Sequence, residues 1–196
     1  DAVMTGQLDQ YATEIGLWQG IFEKYGIDLQ TTEFVAGINT IDAVVNGTAD
    51  IGMMADYAAV NRLGNTLDAT NLQIFSQISG GQAALSGGLY VDPKYADDPK
   101  SLDGSAGFMY QEGTVTYYYA SKCIEYLGLD ESKQNLINTD SSQTRLALIQ
   151  KGGASAVYAN GSEAKYIEEA GWVQVATSQE IGIQTGSYFL STDKYI

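Results

Sequence analysis

Histidine is absent from the chain, and cysteine occurs once, at Cys123. The first absence removes the commonest general base and the commonest metal ligand together. The second rules out an internal disulfide. Cys123 falls on an apolar helical face, where a buried, inert thiol is expected, and sparing use of cysteine suits an exported protein without requiring one. Basic residues are scarce too: 10 Lys and Arg stand against 24 Asp and Glu, a formal net charge of −14. A surface of that sign repels phosphate backbones and excludes nucleic acid as a partner. No basic amphipathic stretch argues for a membrane surface, and no run of about 18 apolar residues could span a bilayer. No signal-peptide pattern precedes Asp1; the sequence reads as opening in mid-strand, as though residues came before it.

What is present is ordinary globular composition over 196 residues, 44% hydrophobic and 17% charged, with no low-complexity run. That length allows one large domain or two small ones. Two stretches read as the same βαβαβ unit. In the first, an apolar run from Ala2 to Leu8 precedes helical spacing from Tyr11 to Tyr25, stopped by Gly26. A strand comes next from Ile27 to Phe34, then a short helix from Ile41 that Asn39–Thr40 can cap, and a buried strand from Ala49 to Met54. In the second, a strand from Ala106 to Gln111 leads to a helix from Thr114 to Leu127. Then come strand Asn135 to Asn138, helix Gln143 to Gln150 and strand Ala154 to Ala159. Tyr25-Gly26-Ile27-Asp28 matches Leu127-Gly128-Leu129-Asp130, and Gly47-Thr48-Ala49 matches Gly152-Gly153-Ala154, in the same order. Two ordered matches between units of one architecture point to a duplicated topology. Gly80-Gly81 lies between the units, where paired glycines permit a hinge.

Ligands of open parallel sheets bind outside the carboxyl ends of the strands. That rule selects Gln10 and Tyr11, the turn Gly37 to Asn39, and Asp56 with Tyr57 in the first unit. In the second it selects Gln111 to Tyr117, Thr139 to Ser142, and Tyr158 to Gly161. The segment Gln111-Glu112-Gly113-Thr114-Val115-Thr116-Tyr117 is the most informative, because a glycine and hydroxyls at a helix start suit an anionic group. Simple N-capping by Thr114 uses the same geometry, and both readings stay open. Glu112 weighs against a strongly anionic ligand, and no Lys or Arg falls on these loop tips. Tyrosine numbers 14 in the chain, and Tyr11, Tyr57, Tyr110, Tyr117 and Tyr158 lie on or beside the selected loops, where each offers a flat apolar face with a polar tip. Tyr117-Tyr118-Tyr119 on one helix cannot all face a ligand. Asp56 could accept from a ligand amine or cap the helix after it.

These residues carry a family resemblance. Ile21-Phe22-Glu23-Lys24-Tyr25-Gly26-Ile27-Asp28, with Ile41 to Val45 and Asn46-Gly47-Thr48-Ala49-Asp50-Ile51-Gly52 after it, is similar to the opening lobe of ABC-transporter substrate-binding proteins. Within them it resembles the branch serving nitrate, taurine, alkanesulfonates and thiamine-pyrimidine precursors. The resemblance implies an α/β, two-lobed type II periplasmic-binding-protein fold, its two βαβαβ units joined by crossover strands. Lobe 1 is expected over 1–80, lobe 2 over 81–187, and a start of the return to lobe 1 over 188–196, with the remainder of that return apparently missing. By position, Gln111 to Tyr117 matches the family's ligand-contacting helix start, and Asp56-Tyr57 its first-lobe contact. A related branch makes the pyrimidine enzymatically with histidine and a cysteine cluster, from which this chain departs.

The expected function is therefore non-catalytic capture of a small organic solute outside the cytoplasmic membrane, in the periplasm or lipid-anchored at the cell surface. No cofactor or metal is implied. A membrane permease is the expected partner, and a second copy of the chain could cover the incomplete first lobe. Expected ligand contacts are Gln10, Tyr11, Asn39, Asp56, Tyr57, Gln111, Glu112, Gly113, Thr114, Thr116, Tyr117, Tyr158 and Asn160. The alternatives are an enzyme on the same fold, using Glu112 or Asp56 as its carboxylate, and a sensory domain of a receptor. The preferred ligand is a nitrogen heterocycle, such as a thiamine-pyrimidine precursor, or a zwitterionic aminosulfonate.

Overall fold

A computed structural model describes residues 2–5, 11–34, 36–64, 71–80, 86–105 and 107–196, with residues 2–5 and 11 described by backbone alone. The chain divides into two compact units, Asp1–Gly80 with Thr185–Ile196, and Gly81–Gln184. Among the described residues, no helix is long and apolar enough to cross a membrane.

Unit 1 begins with strand β1 (Ala2–Thr5) and helices α1 (Tyr11–Trp18) and α2 (Ile21–Lys24). Helical spacing predicts one helix here, but Gly20 adopts φ 64° and divides it. A residue without Cβ takes that left-handed conformation at little cost, which the apolar periodicity cannot register. Next come β2 (Thr31–Phe34), α3 (Gly37–Val45), β3 (Ile51–Ala55), α4 (Asp56–Gly64) and β4 (Leu72–Gly80). The helix expected from Ile41 starts a turn earlier, with Ala36 as its N-cap. Its buried face carries Thr40, Ile41, Ala43 and Val44, which pack with Met54 of β3.

Unit 2 contains β5 (Gly88–Val91), β6 (Phe108–Tyr110), α5 (Val115–Leu127), β7 (Leu136–Asn138) and α6 (Ser142–Gln150). It continues through β8 (Ala156–Ala159), α7 (Gly161–Glu169), β9 (Val173–Thr177) and α8 (Ser178–Ile181). Tyr119, Ala120, Cys123, Ile124 and Leu127 form a stripe on α5 that packs into the core against Leu89, Phe108 and Tyr158. Cys123 is fully buried, and burial pushes its thiol up, so it stays protonated. Strands β5 and β8 are buried along their whole length, as expected for interior strands whose sheet is covered on both faces.

After α8 the chain re-enters unit 1 as β10 (Gly186–Thr192). The sheet of unit 1 has the order β2-β1-β3-β10-β4, and the sheet of unit 2 the order β7-β6-β8-β5-β9. In each, three parallel strands in the order second-first-third are flanked by one antiparallel strand and then an edge strand. The duplicated topology is therefore real, and its two sequence matches mark equivalent helix ends. Gly47 and Gly152 both have positive φ, at 69° and 66°. Each closes its helix with the same pair of bonds: Gly47 N to Val44 O with Thr48 N to Ala43 O, and Gly152 N to Ile149 O with Gly153 N to Leu148 O. That is the Schellman arrangement, which satisfies the last carbonyls of a helix.

The expected start of the return is present, and one boundary needs correction. The return to the first unit includes a full strand at the interior of its sheet, with Leu190 wholly buried against Ile41 and Met54. The boundary expected at 188 lies instead at 185, because Thr185 and Gly186 already bind Asp56 of unit 1. Replacing Leu190 by Ala should lower unfolding stability by about 2–5 kcal/mol, the usual cost of emptying a core site of this size. Urea denaturation monitored by far-ultraviolet circular dichroism measures it, and a loss below about 1 kcal/mol would show that β10 contributes little.

Candidate functional site

Strands β6, β7 and β8 run parallel, so the loops after them emerge at one edge of the sheet. The first loop is built around Gln111. Its N–H donates to Thr116 Oγ1 at 2.7 Å, and its carbonyl accepts from Thr114 Oγ1 at 2.9 Å. Thr114 is the N-cap of α5, and its hydroxyl oxygen also accepts from the N–H of Thr116. The two hydroxyls lie 2.8 Å apart. Both side chains are thus engaged in closing the turn, so the capping role of Thr114 is present, while an anion-binding role remains an expectation.

Glu112 is exposed at the tip of this loop. Its N–H donates to Asn138 Oδ1 at 2.9 Å, and Asn138 Nδ2 lies 3.4 Å from its carboxylate. Asn138 ends β7 and was not among the expected site residues; only strand pairing brings it beside residue 112. Tyr117 sets its ring edge against Tyr110 at 5.4 Å between centroids, and its hydroxyl lies 3.4 Å from Glu131. The Glu131 charge, and then burial, raise the Tyr117 hydroxyl above the ordinary tyrosine value. Gly113 adopts φ 74°, a conformation that suits its place in the turn.

The second loop comes after β7. Thr139 sends both its N–H and its hydroxyl to the carbonyl of Tyr110, each at 2.7 Å. Arg145 belongs to α6, but its guanidinium reaches Thr139 and Ser142, each at 3.2 Å, and Glu163 of α7 at 2.5 Å. Sequence position alone placed Arg145 away from the loops. A helical side chain leans back toward its own N-terminus, and that carries this one to the loop.

The third loop yields a correction. Tyr158 is 6% exposed and belongs to the core, its ring 4.2 Å from that of Tyr119. Its hydroxyl lies 2.8 Å from Ser178 Oγ, which donates to the carbonyl of Gly87. Burial pushes that hydroxyl up. As the third residue of a wholly buried strand, Tyr158 stands one step short of the loop, and its ring is packed beneath the sheet edge. Asn160 is exposed and forms the N-cap position of α7 without a capping bond from its side chain.

In unit 1, Gln10 lies outside the described residues, and Tyr11 begins α1 with only its backbone described. Asn39 is the third residue of α3 and is exposed. Tyr57 is half-buried in the first turn of α4. Asp56 corrects another expectation, because protein donors occupy its carboxylate: Tyr57 N–H and Thr185 Oγ1 bond Oδ1 at 2.7 Å each, and Gly186 N–H bonds Oδ2 at 2.9 Å. It stands at the first residue of α4 and anchors the returning strand.

No family model matches the sequence, and no curated protein matches it. Solved structures do resemble it. The periplasmic aliphatic sulphonate binding protein of Escherichia coli superposes with a TM-score of 0.78 at 15% identity, over 99% of this chain and 61% of its own. The alkanesulfonate-binding protein of Xanthomonas axonopodis pv. citri, bound to MOPS, gives 0.74 at 17%, over 99% and 65%. The periplasmic nitrate-binding protein of Synechocystis PCC 6803 gives 0.73 at 13%, over 99% and 55%. The chain has the type II periplasmic-binding-protein fold. It spans less than two thirds of the length of these structures, and the resemblance expected from the sequence holds at the level of the fold.

Removing the Asp56 carboxylate tests its reassignment. Asp56→Ala should destabilise the protein by at least about 1.5–3 kcal/mol, the worth of one hydrogen bond to a charged group. Chemical denaturation reads this directly. Unchanged stability would return Asp56 to the ligand contacts.

Proposed function

We propose that this chain captures a small organic solute outside the cytoplasmic membrane without transforming it, as the binding component of an ABC importer. The observation that carries the reading is the loop Gln111–Tyr117. It lies at the carboxyl end of β6, is cross-linked by its own threonines, and holds an exposed Glu112 steadied by Asn138. It belongs to a fold whose solved neighbours are binding proteins for sulphonates and nitrate. We further propose that Asn39 and Tyr57 of unit 1 act with Glu112, Thr116, Tyr117 and Asn160 of unit 2 on one ligand, by closure about Gly80-Gly81, of which Gly81 lies outside the described residues. A ligand that bound the closed form more tightly would shift the population toward it.

The chemistry favours a ligand with a polar N–H or cationic end. Glu112 can receive that end, tyrosine can cover an apolar or ring portion, and the first turn of α5 can face an anionic group. A zwitterionic aminosulfonate satisfies all three, and a nitrogen heterocycle satisfies the first two. The location, in the periplasm or lipid-anchored at the cell surface, and the membrane permease as partner belong to the same proposal. A second copy as cover for unit 1 accompanies it, supported by Trp18 at 87% and Tyr25 at 78% exposure. Sedimentation that finds monomer alone at high concentration ends that part.

Titration calorimetry with taurine, MOPS and nitrate tests the ligand class, and one of the two aminosulfonates should bind more tightly than nitrate. Glu112→Gln should weaken that binding by about 1.5–3 kcal/mol, and Tyr57→Ala should weaken it as well while thermal melts stay near wild type. Mass spectrometry of the incubated ligand should find it unaltered. A transformed product, or an affinity indifferent to both substitutions, overturns the reading.

A further inference from the structure

We propose that Arg145 is a positioning residue, the one side chain through which the three loops at the strand ends of unit 2 are held in mutual register. The proposal rests on reading those loops as the ligand-contacting part of this unit. Its geometry is a continuous line of hydrogen bonds. Glu163, in the first turn of α7 after β8, accepts from Arg145 Nε at 2.5 Å. Arg145 Nη2 donates to Ser142 and Nη1 to Thr139, both beyond the end of β7. Thr139 donates to the carbonyl of Tyr110 at the end of β6. The next residue, Gln111, bonds Thr116 and Thr114 at the start of α5. One guanidinium therefore binds the segments after β7 and β8 directly and the loop after β6 through Thr139 and Tyr110, and its planar fork fixes three bond directions that an ammonium on a flexible stem does not.

Stapling α6 to α7 does not explain why this pair is buried. The arginine side chain is 8% exposed and the glutamate 20%, so both charges have lost much of their hydration, and such pairs contribute little net stability. Unit 1 provides the comparison. Its topologically equivalent helices, α3 and α4, are joined by Asp42 and Arg62 at the same 2.5 Å, but with side chains 29% exposed for the arginine and 40% for the aspartate. The helix position that corresponds to Arg145, the fourth residue of α3, is Thr40, whose hydroxyl, among the described residues, donates to the carbonyls of Gly37 and Met53. An outer ion pair is thus sufficient to join these helices. Burial of Arg145 adds contact with the loops, which unit 1 obtains from no charged residue at this position.

Hydrogen exchange of the ligand-free protein, read by mass spectrometry, tests this with two variants. Arg145→Lys keeps the charge beside Glu163 and removes the fork. Thr139→Val keeps the ion pair and removes the hydroxyl that joins Arg145 Nη1 to the Tyr110 carbonyl, leaving the backbone N–H of residue 139 bonded to Tyr110. Both should speed exchange over residues 110–117 by about tenfold or more, while residues 119–127 in the core stay protected. Acceleration confined to 142–150 and 161–169 would overturn the proposal and leave Arg145 as a helix staple. If Arg145→Lys fails to fold, Thr139→Val decides alone. MOPS affinity supplies the second arm: if the wild type binds MOPS, both variants should bind it about tenfold or more weakly, and equal affinity would overturn the proposal. A wild type that binds neither MOPS nor taurine counts against the ligand class alone, since the exchange comparison uses no ligand.

Discussion

The carboxylate of Asp56 receives the N–H of Tyr57, the hydroxyl of Thr185 and the N–H of Gly186, and so fixes the point at which the chain re-enters its first unit. From there the chain runs into β10, which pairs on one side with β3 and on the other with β4. Without it the two strands share no partner, and β4 is severed from the rest of its sheet. Unit 1 is therefore closed by residues more than 100 positions from its own core, a connection that must be made against chain entropy. Unit 2 closes within one continuous segment, Gly81–Gln184: its inserted strand β5 comes before β6 and pairs with β8 and β9 further along. The same sheet plan thus demands a longer-range closure in unit 1 than in unit 2, and more distant pairings form more slowly.

The parts of this plan that are legible in the sequence are those fixed by neighbouring residues. Gly26 and Gly128 each end a helical segment with the same two bonds, Gly26 N to Glu23 O with Ile27 N to Phe22 O, and Gly128 N to Glu125 O with Leu129 N to Ile124 O. Such an end requires a left-handed residue, and glycine provides it most cheaply, so the duplication leaves a mark in the letters. The apolar stripe of α5 is readable for the same reason, since helical periodicity is a local property. Strand order is not. Whether β10 lies at an edge or in the interior depends on pairings across more than a hundred residues. The run from Tyr188 to Ser191 reads the same either way.

The candidate site divides along the same line. Strand-end reasoning locates the loops, and α5 does begin where the Gly113-Thr114 turn predicts. It cannot say which way a side chain points. Tyr158 precedes its loop by one residue and sends its ring into the core against Tyr119. Asp56 lies at its strand end as expected, but the chain's own return occupies its oxygens. The reverse error concerns Asn138, which meets Glu112 through the pairing of β6 with β7, and Arg145, which meets Thr139 through the backward lean of a helical side chain. The misreadings of Tyr158, Asp56 and Asn138 each arise from a contact that no window of neighbouring residues contains.

These contacts also constrain the electrostatics of the proposed site. The arginine nearest the loops of unit 2 is paired with Glu163, so the pair presents no net charge to anything that approaches. The hydroxyls of Thr114 and Thr116 are already engaged with Gln111. The loop therefore presents outward the first turn of α5, with its partial positive charge, and a few residues away the carboxylate of Glu112. A helix start of this kind attracts an anion by well under one full charge, whereas Glu112 repels it by a whole one. A simple inorganic anion thus meets a loop whose fields oppose each other. A molecule carrying a donor or cation at one end and an acidic group at the other can place each end in the field that favours it. For the same reason Glu112 must be held at a fixed distance from the helix start. Its bond to Asn138 does this directly, and the line from Thr139 through Arg145 to Glu163 carries the constraint from β7 to the loop after β8.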